Sequence, residues 1–192
     1  MSYGIVLKVL GSILTVESAL MLPALAIAFY TNGHDRMAFL TTVIITGVVG
    51  FIISKKTPIK NNVNVKEGLA IVALGWILAS LFGALPFYLS GSIPSYVDAV
   101  FETVSGFTTT GASILSNVEG LPHGILFWRS FTHWIGGMGI LVFTIALLPV
   151  LGIGGFQIFK AESPGPTADK IMPRIKDTAK ILYTTYFSIT VL

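Results

Sequence analysis

Long apolar runs separated by short polar ones lay out this chain. Val9 to Tyr30 is the first run, broken by Glu17 and by Pro23; a proline bends a membrane-spanning helix without forbidding it. Thr31 to Arg36 reads as a turn, and Met37 to Ile53 as a second run, short but able to cross about 30 Å of hydrocarbon. Ser54 to Lys66 is a polar loop carrying Lys55, Lys56, Lys60, Lys66 and Pro58. Leu69 to Leu89, with Pro86 near its far end, is a third run without charge. The pattern changes between Ser95 and Ser113, where Tyr96, Val97, Val100, Phe101 and Val104 recur at helical spacing over too few residues to cross a bilayer. After a loop with Asn117, Glu119, Gly120 and Pro122, a fourth run spans Ile125 to about Leu151, with Arg129 one turn in and Gly136-Gly137-Met138-Gly139 at mid-depth. Gly152 to Lys180 is glycine-rich and then polar, and Ile181 to Leu192 opens another apolar run. The expected fold is an all-α polytopic membrane protein.

Composition agrees, with 53% hydrophobic and 11% charged residues and a mean hydropathy of +0.81. The absence of cysteine excludes disulfides and thiolate metal sites. The first run is too long for a signal-peptide core and no small-residue cleavage pattern follows it, so it reads as retained. Charge then orients the chain. Of its twelve Lys and Arg residues, all but Arg36 and Arg129 fall in the N-terminal flank, the Ser54 to Lys66 loop or the segment after Phe159. Basic loops stay in the cytoplasm, which puts the N-terminus inside and makes Ser90 to Gly124 leave and return on the outer face. A short apolar helix in such a segment suits a loop that dips into the protein and comes back. The glycines of the third and fourth runs allow the close approach that such a loop needs.

Ser95 can cap this short helix with Asp98 three residues on, and Gly106 is expected to end it in a left-handed conformation. Thr108-Thr109-Thr110-Gly111 follows as a narrow run whose carbonyls can replace part of an ion's water shell, beside the negative end of the helix dipole. A neutral, carbonyl-rich lining points to a weakly hydrated monovalent cation, potassium before sodium. One strand offers one carbonyl per layer, so several must converge on an axis. The stretch occurs once in the chain, which leaves four identical chains or a longer polypeptide. The apolar run that halts after 12 residues at Leu192 favours the longer polypeptide.

Other residues read more plainly. Glu17 is expected to snorkel to the inner end or to pair with Lys8, with a role in the ion path as the alternative. Arg129 is expected to hold the outer end of the fourth run by bonding pore-loop carbonyls, Glu102 or Glu119. Asp98 reads as a helix cap that can also attract cations. His34, His123 and His133 lack metal-ligand spacing. Gly152, Gly154 and Gly155 lack the strand and the Lys-Ser/Thr of a phosphate loop. An intramembrane enzyme with Ser105 or a threonine as nucleophile and His133 as base would lack any nucleophile elbow or paired acids.

Two stretches together, Val-Asp-Ala-Val-Phe-Glu-Thr-Val-Ser-Gly-Phe-Thr-Thr-Thr-Gly-Ala-Ser and Phe-Trp-Arg-Ser-Phe-Thr-His-Trp-Ile-Gly-Gly-Met-Gly-Ile, resemble the TrkH/KtrB potassium-uptake proteins of the Trk/Ktr/HKT superfamily. The resemblance implies four helix–pore loop–helix repeats around one pore, with Gly111 as this repeat's filter glycine. It divides the chain into an N-terminal transmembrane pair at 1–60, a first pore repeat at 61–165 with its re-entrant loop at 91–123, and a linker with the start of a second repeat at 166–192. The expected site is a selectivity filter of Thr108, Thr109, Thr110 and Gly111, in which Thr109, Thr110 and Gly111 offer K+ their carbonyls. Asp98, Glu102, Gly106 and Arg129 support it. The implied function is potassium uptake across the bacterial plasma membrane; a non-conducting truncated or assembly subunit is the alternative. A homodimer carrying a cytoplasmic nucleotide-binding RCK regulatory subunit is implied, with no cofactor, no nucleic acid and no enzymatic activity.

Overall fold

A computed structural model describes residues 3–55, 65–139 and 175–191. Their regular structure is helical: α1 Tyr3–Leu20, α2 Leu22–Tyr30, α3 Arg36–Lys55, α4 Val65–Gly83, α5 Leu85–Leu89, α6 Tyr96–Phe107, α7 His123–Met138 and α8 Ile175–Val191. The lysine-rich loop over 56–64 and the glycines at 152, 154 and 155 lie outside the described residues. Three segments are long and apolar enough to cross a membrane: Tyr3–Tyr30, Arg36–Lys55 and Lys66–Leu89. The expected fourth run opens as α7, which stops at Met138 because Gly139 adopts φ +70°. The rest of that run, 140–151, lies outside the described residues.

Both long prolyl segments are stepped where the sequence places their prolines. Pro23 and Pro86 remove the N–H that would bond the carbonyl four residues back, and the helices are interrupted at Met21 and Ala84. The halves stay joined through the interrupting residues, since Met21 N–H donates to Glu17 O at 3.1 Å and Ala84 N–H to Ser80 O at 3.1 Å, while their own carbonyls accept from Leu25 N–H at 3.0 Å and Tyr88 N–H at 3.2 Å. Side chains reach the backbone around the second step: Tyr96 Oη donates to Leu81 O at 2.8 Å and the buried Trp128 Nε1 to Gly83 O at 2.9 Å. In an apolar medium such repairs make an interrupted helix tolerable.

Small residues set how the long helices meet, as expected where lipid supplies no hydrophobic drive. At the α1–α3 crossing, a Cβ on Gly50 would stand 2.7 Å from Gly11 O and one on Gly11 2.7 Å from Gly50 O. Ser18 Oγ donates to Val43 O across the same crossing at 2.9 Å. On its outer side α3 exposes Ile44, Ile45, Val48, Phe51 and Ile52, an apolar face suited to lipid or to further helices. The core runs from α1 through Phe87 to Phe107 and Trp128, so α6 is seated against both α4 and α7. The last helix, α8, meets α7 through Trp134, whose Nε1 donates to Thr190 Oγ1 at 3.0 Å.

Candidate pore loop

The central loop begins as expected. Ser95 takes an extended conformation, φ −93° and ψ 125°, and its Oγ accepts from Asp98 N–H at 3.4 Å, capping α6. Asp98 is exposed on the first turn, where a carboxylate favours the positive helix end.

The buried side of α6 is not the apolar one. Ala99, Glu102, Thr103, Ser105, Gly106 and Phe107 face inward, while Val97, Phe101 and Val104 are exposed. Periodicity alone points the branched residues inward; close packing among apolar helices instead selects small and hydrogen-bonding side chains. The exposed valines and Phe101 leave a ready apolar face on the opposite side of α6.

The end of α6 also departs from expectation, because Gly106 is helical and Thr109 is the left-handed residue, φ +54°. Thr109 N–H donates to Gly106 O at 2.9 Å and Thr110 N–H to Ser105 O at 3.0 Å, the paired closure of a Schellman motif. Glycine usually occupies that position, and a β-branched residue there costs about 1–2 kcal/mol. The need for glycine at 106 is contact: a Cβ would run into Thr132, and one on Gly136 into the Phe107 carbonyl. At Gly111 it is conformation, with φ +75° and nothing within 4 Å of a would-be Cβ.

From Thr109 the chain turns back alongside α6 and is fastened at its return. Ser105 Oγ donates to Ala112 O at 2.6 Å. Glu102 accepts from Ser113 Oγ at 3.0 Å and from Ile114 N–H at 3.2 Å, and pairs with Arg129 Nε of α7 at 2.7 Å. The Glu102 side chain is fully enclosed and Arg129 keeps 17% exposure. Arg129 thus meets Glu102, one of its expected partners.

Hydrogen bonds divide the filter candidates. Thr108 Oγ1 donates to Val104 O and accepts from Thr110 Oγ1, both at 2.7 Å, and the Thr108 carbonyl accepts from Thr109 Oγ1 at 2.7 Å. The carbonyls of Thr109, Thr110 and Gly111 accept nothing from any described residue, and all three residues are exposed. Three successive main-chain oxygens therefore stand without a donor among the described residues, between a helix cap and an anchored return strand. Such oxygens suit a monovalent cation.

Ser105 and His133 form no nucleophile–base pair: the serine hydroxyl donates to Ala112 O, and His133 Nδ1 meets Arg129 O at 3.0 Å. No group of three His, Cys, Asp or Glu with metal-binding geometry occurs among the described residues.

Glu17 and Asp35 are buried where sequence reasoning did not place them. Glu17 neither snorkels nor reaches Lys8; it is 1% exposed, and neither oxygen meets a donor among the described residues. It lies behind α6, since a Cβ built on Gly83 would stand 2.9 Å from Glu17 Oε1, 3.0 Å from Thr103 Cγ2 and 3.2 Å from Phe107 Cε2. Asp35, from the α2–α3 turn, is also buried, and its Oδ2 accepts from Ile125 N–H at 3.1 Å. That partner is 90 positions away, beyond the reach of any local pattern.

The family model described as TrkH, cation transport protein, matches residues 35–192. The chain belongs to the TrkH family. Over its whole length this TrkH-family chain is 41% identical to the Trk system potassium uptake protein TrkH of Salmonella typhimurium, of which it covers 40%. Over 95% of its length it is 35% identical to TrkG of Escherichia coli, covering 38% of that protein. The crystal structure of the potassium transporter TrkH from Vibrio parahaemolyticus superposes on all of it with a TM-score of 0.78 at 34% identity, 38% of that chain being covered. The TrkH-family chain thus spans about 40% of the length of such relatives, and it is an all-helical membrane protein like them.

Proposed function

We propose that this chain supplies one strand of a four-fold, carbonyl-lined potassium filter, within a protein that takes up K+ across the bacterial plasma membrane with its N-terminus in the cytoplasm. The observation that carries this reading is the row of exposed carbonyls at Thr109, Thr110 and Gly111, which meet no donor among the described residues and are clamped on the far side by Glu102 and Arg129. Removing K+ from water into a low-dielectric site is prohibitively costly unless oxygens replace its hydration shell. Four such strands around one axis provide them. The apolar residues left exposed on α6, Val97, Phe101 and Val104, are the side that the neighbouring repeats cover. Thr108 closes the helix below the strand, Asp98 adds negative potential at its outer end, and Gly106 lets α6 sit tightly on α7.

In this reading residues 1–60 are an accessory helix pair, 61–165 the first repeat with its pore loop at 91–123, and 166–192 the linker into a second repeat. A homodimer regulated by a cytoplasmic nucleotide-binding RCK subunit, docked on the basic inner loops, completes the assembly. The relatives named as potassium uptake proteins support the choice of ion.

The test is uptake by a potassium-requiring bacterial host that expresses the full-length transporter carrying this region. Gly111→Ser is expected to abolish uptake or its preference for K+ over Na+ while the protein still reaches the membrane. Unchanged preference contradicts the reading.

A further inference from the structure

Asp35 is 0% exposed, yet it serves a helix other than its own. Its carbonyl joins α3 by accepting from Phe39 N–H at 3.0 Å, whereas its carboxylate accepts from Ile125 N–H at 3.1 Å, in the first turn of α7. The cap residue of α7, Pro122, makes no side-chain cap bond. An orphan N–H and the positive end of α7 are therefore served from the α2–α3 turn.

The surroundings are shaped to this carboxylate. A Cβ on Gly33 would run into its Oδ1 and one on Gly124 into its Oδ2. The Gly124 Cβ would also stand 2.9 Å from Ala28 Cβ and 3.1 Å from Ala24 O, so the first turn of α7 rests directly on α2. The second carboxylate oxygen, Oδ1, has no donor among the described residues.

What lies along α7 gives this contact a consequence for the pore loop. Arg129 follows Ile125 by four residues and shares its side of the helix. It pairs at 2.7 Å with Glu102, which holds Ser113 and Ile114 of the return strand at 3.0 and 3.2 Å. Bonds of that length weaken when a partner slides by much more than a few tenths of an ångström. A shift of α7 along its axis would therefore reach the strand through the Arg129–Glu102 pair.

We propose that Asp35 is a positioning residue for the filter: it fixes the height of α7 against the N-terminal helices and so holds Arg129 in register with Glu102. This rests on the filter role proposed above for Thr109, Thr110 and Gly111. A residue of merely structural importance would change how much transporter folds; Asp35 instead also changes which ion the folded transporter prefers.

The experiment measures K+ uptake and its inhibition by Na+, per folded transporter, for the full-length protein carrying Asp35→Ala, Asp35→Asn or Gly124→Ala. Asp35→Ala is expected to lower the K+-over-Na+ ratio about fivefold, the scale of losing one cap interaction. Gly124→Ala, which pushes the first turn of α7 off Asp35 and α2, lowers it in the same direction and decides the matter alone if Asp35→Ala does not fold. Asp35→Asn keeps an oxygen acceptor and stays within about twofold of the wild type. Unaltered ratios in Asp35→Ala and Gly124→Ala, or a loss in Asp35→Asn equal to that in Asp35→Ala, overturn the proposal. Selective uptake by the wild-type protein is the control; its failure counts against the filter reading and not against Asp35 in particular.

Discussion

The α6 loop and the helix α1 behind it each bury a glutamate, and the two are treated in opposite ways. Glu102 is surrounded by partners: Arg129, Ser113 Oγ and Ile114 N–H all reach it. Glu17, equally enclosed, has a hydrogen-bond donor on neither oxygen among the described residues. A fully satisfied polar cluster specifies one backbone arrangement, whereas a lone buried polar group costs stability and persists for another reason. The difference separates a carboxylate that shapes the return strand from one whose retention points toward function, as is usual for ionisable residues within spanning helices.

Breaking the satisfied cluster has the largest expected effect. Glu102→Ala strands Arg129 and releases both bonds to the return strand, and it lowers stability in thermal unfolding in detergent by about 3–5 kcal/mol, with loss of selective uptake. Emptying the unsatisfied site goes the other way. Glu17→Leu replaces a polar group that meets no donor among the described residues by an apolar one of similar size, and is expected to raise stability by about 1–3 kcal/mol. A fall of that size would mean that Glu17 has a partner after all. If uptake drops in that more stable variant, Glu17 has been kept for function.

The closing turn of α6 offers a finer probe of the satisfied side. Thr109→Asn suits φ +54° better than a β-branched residue and should stabilise by about 0.5–1 kcal/mol, while K+ preference falls because the strand's hydrogen bonds shift. The smallest effect is expected at the rim, where Asp98→Asn removes an exposed charge from the first turn of α6 and costs about 0.3–1 kcal/mol at low ionic strength, less in salt.

Much of this was legible beforehand because membrane burial writes long, simple signals. Apolar runs marked the first three spanning segments, Pro23 marked the step in the first of them, and Ser95 marked the start of α6. The faces of α6 were not legible, because the periodicity of its valines resembles that of a soluble amphipathic helix, whereas this helix turns Glu102, Thr103 and Ser105 inward. Gly106 misled because the same residue type serves both close contact and left-handed turns, and only the structure shows which of the two is needed. Glu17 and Asp35 depend on neighbours far along the chain. The Arg129–Glu102 pair was within reach because Glu102 was one of few acids near the outer end of the fourth run.

The most direct test is to see the ion. Crystals of the full-length transporter grown in thallium or rubidium, heavier stand-ins for potassium, should give anomalous density in direct contact with the carbonyls of Thr109, Thr110 and Gly111. Density elsewhere along the pore, with those three oxygens bonded to water or protein instead, would contradict the account.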